Sequence, residues 1–237
     1  MPISTPKPGA LLDLKVSALH GVTVAVAYSG GPDATALAAR LKADGATVLP
    51  VYVAYRGPGG KTAKDLRFAK RSAELLQLPS RWIDEPLVRR IDSDSKSQRN
   101  RIIVAAISMA LGQQVQCVGI GTFKQTFEAA GQWTDDSNED IDPAILSRPL
   151  TPQGHRLITW DSYGVSGKAE QFRNLSAQDR AALFATTSCQ LWWKVECGNC
   201  YSCLERNEAF LAAFGVDPTG YRAKSTVTRR ALAVAQA

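Results

Sequence analysis

Two groups of residues in this 237-residue chain have types and spacing that could do chemistry. The first is Ser29-Gly-Gly-Pro-Asp-Ala-Thr35, which follows a β-branched apolar run at 22–28 and precedes a small, apolar stretch at 34–41. That order reads as a buried strand, a polar glycine turn and a helix. Gly30 and Gly31 allow positive φ and close approach of backbone to a ligand. Unpaired N–H groups of the first helical turn, with the helix dipole, favour an anion there. Ser29 and Thr35 add hydroxyls, and Pro32 suits a helix entry. The second group is Cys189, Cys197, Cys200 and Cys203, four soft ligands within fifteen residues. Thiolates at such intervals can surround one tetrahedral Zn2+ with no open position, which makes the metal structural rather than catalytic. An iron–sulfur cluster and a pair of disulfides are the rival readings. Disulfides are unusual without export, and these spacings are tight for paired bridges. Gly198 relieves the turn between ligands, and the fifth cysteine, Cys117, reads as core in an apolar strand.

The elements that must position these groups follow from hydrophobic pattern. Residues 47–54 read as a second strand, with Pro50 placing it near a sheet edge. A turn at 56–60 precedes a basic helix at 62–76, and Trp82 and Ile83 read as a short third strand. An apolar helix at 99–111 leads into a strand at 115–120. Helices are expected from about 164 and at 177–184, with a short leading helix before residue 20. Strands alternating with helices imply an α/β domain, a parallel sheet covered on both faces. Ligands then lie beyond the carboxyl ends of the strands, where Ser29–Thr35 and Gly119–Phe123 both fall. Residues 122–147 are polar, acidic and irregular, a loop longer than usual and so either functional or mobile.

The loop discriminates between nucleotide-binding classes. Neither G-x-x-x-x-G-K-[ST] nor G-x-G-x-x-G occurs. Ser-Gly-Gly-x-Asp after the first strand resembles instead the pyrophosphate (PP) loop of the adenine-nucleotide α-hydrolase-like enzymes, with an ordinary small-residue turn as the bland reading. That resemblance implies a HUP-like (Rossmann-like) domain that uses ATP to adenylate an oxygen. The cysteine segment sharpens it: Cys197-Gly-Asn-Cys-Tyr-Ser-Cys-Leu-Glu-Arg206, preceded by Cys189, is similar to the end of the 7-cyano-7-deazaguanine synthase family. Arg99-Asn100 and Gly167-Lys-Ala-Glu170 resemble further segments of that family, in the same order. The implied organisation is an N-terminal extension at 1–20, an ATP-binding domain at 21–185, and a small zinc-bearing region and tail at 186–237.

The resemblance implies an ATP-dependent ligase that adenylates the carboxylate of 7-carboxy-7-deazaguanine and passes it to ammonia, giving the amide and then the nitrile. Ser29, Gly30, Gly31, Asp33 and Thr35 would hold the pyrophosphate end of ATP, with Asp33 capping the helix or near Mg2+. Lys168 and Arg99 would neutralise charge during adenylation. Asp135 or Asp136, after Trp133, would accept the N–H donors of a guanine-like base while an aromatic stacks on it. Two departures stand out: Ala34 replaces the usual loop serine, and Tyr55-Arg-Gly-Pro-Gly-Gly60 replaces a Tyr-Gly-Gln-type segment. They leave open a variant that stops at the amide or joins the deazaguanine to a protein amine, as phage-defence relatives suggest. Two further readings are a PP-loop tRNA-modifying enzyme and a non-catalytic nucleotide-binding module.

Net charge is +6, which fits phosphorylated ligands and equally a merely soluble surface. Arg67, Lys70, Arg71 and the tail's Arg222, Lys224, Arg229 and Arg230 would suit phosphates, but nucleic acid is not the expected partner because no RNA-binding domain is visible. With only His20 and His155, a histidine-based mechanism has little support. The first residues lack a secretory pattern, and the apolar run at 102–111 is too short to span a bilayer. The expectation is a soluble cytoplasmic protein without a membrane partner, able to pair as a homodimer.

Overall fold

The structure is a computed structural model that describes residues 19–56, 62–90, 96–122, 143–165, 167–189 and 196–222. In chain order the first half runs β1 (Thr23–Ala27), α1 (Pro32–Ala43), β2 (Thr47–Val51), β3 (Val53–Arg56), α2 (Thr62–Leu75), α3 (Arg81–Asp84), β4 (Leu87–Arg90) and α4 (Lys96–Leu111). The second half runs β5 (Cys117–Gly119), α5 (Pro143–Ser147), β6 (Arg156–Ile158), α6 (Lys168–Arg173), α7 (Ala177–Phe184) and α8 (Tyr201–Phe214).

The main sheet has the order β2-β1-β5-β6, every pair parallel. Its central strand shows why the sequence there is apolar without alternation. Val24 and Val26 pack with α1 residues such as Leu37 and Leu41, whereas Ala25 joins Val104, Ile107 and Leu111 of α4. Both faces are covered, as a parallel sheet requires. The expected α/β, Rossmann-like architecture is therefore what forms. From β1 the chain goes to β2 on one side, and on the other side β1 is flanked by β5, so the strand order reverses between β1 and β5. A crevice opens beyond their carboxyl ends at that switch point.

Three expectations need correction. The single strand at 47–54 is two strands in different sheets. Thr47 N–H donates to Val22 and Val51 carbonyl accepts from Tyr28, so Thr47, Leu49 and Val51 face β1. Tyr52 turns the other way, its N–H donating to Trp82 carbonyl and its carbonyl accepting from Leu87, and β3 then pairs with β4. One extended stretch thus serves two ladders, on opposite sides. The backbone nitrogen of buried Pro50 is directed away from β1 on the edge strand, where its missing N–H breaks no bond. The strand expected at Trp82 and Ile83 is the short helix α3, and the strand lies at Leu87–Arg90 instead. β6 was not expected at all, because its three residues are too few to show a period. The leading helix before residue 20 and the turn at 57–60 lie outside the described residues, although Leu19 is buried in the core.

The C-terminal helix α8 is joined to the body by aromatic packing. Phe210 and Phe214 meet Phe172 of α6 and Phe184 of α7, with ring centroids 5.4–6.5 Å apart. Each such pair adds about 0.5–1.5 kcal/mol beyond its burial. Arg206, 1% exposed, lies over the Phe210 ring and donates to the hydroxyls of Thr186 and Thr219.

Gly30 has two reasons to be glycine. Its φ is +76°, and a Cβ there would lie 2.5 Å from the Ala69 backbone nitrogen and 2.7 Å from the Asp65 carbonyl oxygen. The loop is thus packed directly on the backbone of α2. Gly31 has a φ of −84°, and a Cβ there would meet only Ser29 Oγ at 3.4 Å and Thr187 carbonyl at 3.7 Å. Gly30→Ala is expected to lose about 2–4 kcal/mol, overpacking plus a left-handed residue. That lowers Tm by roughly 5–15 °C for a chain of this size. Gly31→Ala is expected to stay within about 1 kcal/mol of the parent. Scanning calorimetry of the two variants checks both, and equal melting would mean that α2 does not press on the loop.

Candidate active site

A cavity of about 520 Å³ occupies the crevice beyond the carboxyl ends of β1, β2 and β5. Ser29, Gly31, Asp33 and Ala34 form one wall, the turn and first helical residues of α1. Val51, Val53 and Ile103 give an apolar wall, with Tyr52 between them. Asp65, Arg99 and Asn100 come from the starts of α2 and α4, and Gly121 and Thr122 from the end of β5. Thr187, Ser188 and Cys189 close the remaining side. The arrangement offers helix amides for an anion, an apolar surface for a ring and a guanidinium for a second anion.

Asp33 lies at the centre of the charge arrangement. Its Oδ2 is 3.3 Å from Lys168 Nζ, which is also 2.7 Å from Glu205 Oε2. Burial pushes the Asp33 carboxyl above the ordinary carboxylate value, against the pull of Lys168. Burial works to lower the Lys168 ammonium, but Asp33 and Glu205 outweigh it and hold that pKa above the usual lysine value. Two carboxylates thus share one ammonium, so the cluster carries surplus negative charge when both are ionised. Asp33 Oδ1 is buried without a hydrogen-bond partner among the described residues. An unpartnered carboxylate oxygen is a hard ligand of the type a divalent cation takes, and Asp33 would be the residue to hold Mg2+ there.

The sequence-expected residues divide by position. Ser29, Gly31, Asp33 and Arg99 line the cavity. Thr35 does not: it is fully buried, with its hydroxyl 2.9 Å from the Gly31 carbonyl and 3.2 Å from Tyr28 Oη. It braces the loop from below. Gly30 faces α2, and its carbonyl accepts from Thr187 N–H. Lys168 is not among the cavity-lining residues and acts on the cavity through Asp33. Trp133, Asp135 and Asp136 lie outside the described residues. Sequence reading missed Asp65, Thr187 and Ser188, none of which belongs to a motif, and marked Thr122 only as part of Gly119–Phe123 at a strand end.

The four cysteines converge, with every pair of Sγ atoms within 4.8 Å. Cys197 Sγ and Cys203 Sγ are 3.8 Å apart, which matches two corners of a tetrahedron with bonds of about 2.3 Å to zinc. Backbone N–H groups of Cys197 and Cys200 point at the sulfurs of Cys189 and Cys197, 3.4 and 3.3 Å away. Such donors stabilise thiolates. Burial pushes the Cys197 and Cys203 thiols above the ordinary cysteine value, so ionised sulfur here requires a cation. The donor set fits Zn2+ with no open coordination position. Glu196, 6% exposed, holds the cluster in place by accepting from Cys189 N–H and the Thr187 hydroxyl. Because Thr187 and Cys189 also line the cavity, the two sites share a wall. Cys117 is fully buried, as expected of a core residue.

The basic face expected of α2 is partly occupied: Lys70 is 2.6 Å from Asp84, and Arg67 lies over the Phe68 ring. Among the described residues no helix is long and apolar enough to cross a membrane.

No protein-family model matches the chain. It is similar to a 7-cyano-7-deazaguanine synthase from Caldicellulosiruptor saccharolyticus, 24% identical over 219 residues that cover 83% of this chain and 94% of the relative. Among solved structures it is similar to a predicted subunit of tRNA methyltransferase from Methanocaldococcus jannaschii at 16% identity. That match spans 58% of this chain and 67% of the other with a TM-score of 0.30, too low to bear on fold or function.

Two measurements follow from this geometry. Cys203→Ser is expected to abolish metal binding, from about one zinc per chain to none by atomic emission, and to lower stability by several kcal/mol. Lys168→Met leaves Asp33 and Glu205 without their cation, at an expected cost of about 2–3 kcal/mol at pH 7.5 after allowance for partial exposure. The Asp33 pKa is raised on folding, so its contribution is full below its unfolded value of 3.8 and lost as pH rises through the folded one. That of Lys168 is full below 10.5 and lost only as pH rises through its still higher folded value. The deficit of Lys168→Met should therefore shrink at pH 5, as urea unfolding at the two pH values would show.

Proposed function

We propose that this protein is an ATP-dependent carbon–nitrogen ligase that activates the carboxylate of 7-carboxy-7-deazaguanine, in the manner of 7-cyano-7-deazaguanine synthases. The observation that carries the reading is the shared wall: the Ser29–Asp33 loop and Cys189 of the four-cysteine cluster, 160 positions apart in sequence from Ser29 to Cys189, border one cavity. Similarity to the named synthase over 94% of that protein's length supports it.

In this reading the triphosphate lies against the N-terminus of α1, where helix amides and dipole bind the negative charge. Mg2+ at Asp33, when bound, offsets the repulsion between that carboxylate and the phosphates. Arg99 binds and orients the substrate carboxylate, and the apolar wall of Val51, Val53 and Ile103 excludes water from a ring system. A carboxylate oxygen attacks the α-phosphorus, the bond to the bridging oxygen breaks, and pyrophosphate leaves with the electron pair. Ammonia then adds to the acyl carbon, loses a proton and expels AMP, giving the amide. A second ATP activates the amide oxygen in the same way, and departure of AMP with the remaining nitrogen protons leaves the nitrile. Lys168 keeps Asp33 in place and limits the negative charge that the phosphates meet. Cys189, Cys197, Cys200 and Cys203 would hold Zn2+, which would steady the wall formed by residues 187–189 and take no part in the bond changes.

Mass spectrometry of products after incubation with ATP, Mg2+, 7-carboxy-7-deazaguanine and ammonium tests the proposal. The nitrile with AMP and pyrophosphate is the expected product. Amide or adenylate without nitrile would keep the ligase but transfer the nitrogen acceptor to another amine, a protein amine included. No consumption of ATP would overturn the reading.

A further inference from the structure

Buried polar atoms without a hydrogen-bond partner are few in a folded protein, and each one calls for an explanation. Among the described residues they occur on Asp33, Thr122 and Gln171, and the first two line the same cavity. Asp33 belongs to the loop already described, whereas Thr122 belongs to no motif.

Its position is tightly determined. The Thr122 N–H donates to Ile120 carbonyl, and its own carbonyl accepts from Trp160 N–H. Both backbone groups are thus occupied, leaving the hydroxyl without a partner. The preceding Gly121 lies backbone against backbone on the first turn of α1: a Cβ there would be 2.6 Å from Ala34 N and from the Asp33 carbonyl carbon. Only glycine allows this approach, and it places Thr122 next to the first turn of α1, in the lining of the same cavity as Ser29. The wall that suits a ring, Val51 and Val53, lies on the β2 side. In the proposed pose, with the base on that wall and the terminal phosphates at α1, the α-phosphate would be the one to meet residues that follow β5. Ala34, at the position where a serine would offer a hydroxyl, has none to give.

We infer that the Thr122 hydroxyl donates to the α-phosphate of the bound nucleotide, supplying from β5 a contact that the loop lacks at Ala34. The inference rests on the nucleotide-binding part of the proposed function, not on the identity of the acid that is activated. The hydroxyl meets the oxygen atoms of the phosphorus that is attacked, so it holds the reacting centre in line and stabilises the charge that develops there.

Calorimetric titration with adenosine, AMP and the non-hydrolysable α,β-methylene analogue of ATP tests it, on the parent protein, Thr122→Val and Thr122→Ser. Thr122→Val should weaken AMP and the analogue about 10- to 100-fold, the range for a lost hydrogen bond to a charged group, and leave adenosine within about twofold. Thr122→Ser should bind both nucleotides nearly as the parent does. Without nucleotide, Thr122→Val should melt no lower than the parent, since it removes an unsatisfied hydroxyl. AMP binding unchanged by Thr122→Val, or adenosine weakened as much as AMP, would overturn the inference. A parent protein that binds neither nucleotide would overturn it together with the nucleotide site. Nucleotide binding without turnover of 7-carboxy-7-deazaguanine would count only against the proposed substrate.

Discussion

The ammonium of Lys168 ties the first turn of α1 to two helices, α6 and α8, that aromatic packing already holds together. Asp33 lies in the first turn of α1, Lys168 opens α6 and Glu205 belongs to α8, and all three side chains end at one point. Two carboxylates gathered in a partly enclosed place repel each other, and the Lys168 ammonium between them offsets that repulsion. Further links run the same way: Thr187 N–H to the Gly30 carbonyl, and Cys189 N–H to Glu196. The nucleotide-type loop at one end of the sequence and the cysteine cluster at the other are consequently a single mechanical unit. A change in the cysteine cluster would reach the loop through two or three hydrogen bonds, with no need for movement of the sheet.

The loop motif itself separates into residues that face the cavity and residues that support those that do. Ser29, Gly31 and Asp33 face inward, whereas Thr35 is bonded beneath the turn and Gly30 is glycine because α2 passes too close for any side chain. A motif read from sequence merges these demands, because both appear as restricted residue types. Only the burial and the neighbours of each atom tell ligand contact from packing.

Much of this arrangement was legible in the residues alone. The parallel α/β sheet followed from apolar runs alternating with helical stretches, and the cysteine spacing alone implied four converging sulfurs. Helix α7 falls at the expected residues because Ser176 caps it and its apolar positions repeat clearly. The misread parts have physical reasons. Trp82 and Ile83 are bulky and apolar, as in a strand, but the turn of helix there buries Ile83 and leaves Trp82 under the Arg81 guanidinium. The break at Tyr52 is invisible in the sequence, since both halves of 47–56 are extended and only the side of hydrogen bonding changes. Thr122 could not be singled out because a threonine after a strand has no signature until its partners are counted. Lys168 was readable as important, but not as a residue that reaches the cavity through Asp33.

The outward face of β2 has a consequence for how this molecule can associate. Along that strand the backbone groups directed away from β1 belong to Val48 and Pro50, and from Tyr52 onward the same side is taken up by Trp82, Leu87 and β4. The open stretch therefore offers one amide donor followed by a proline ring. An incoming strand from another chain would find no ladder to continue, which is how natural edge strands resist unwanted pairing. Any assembly built on this flank must rely on side-chain surfaces rather than on a continued sheet.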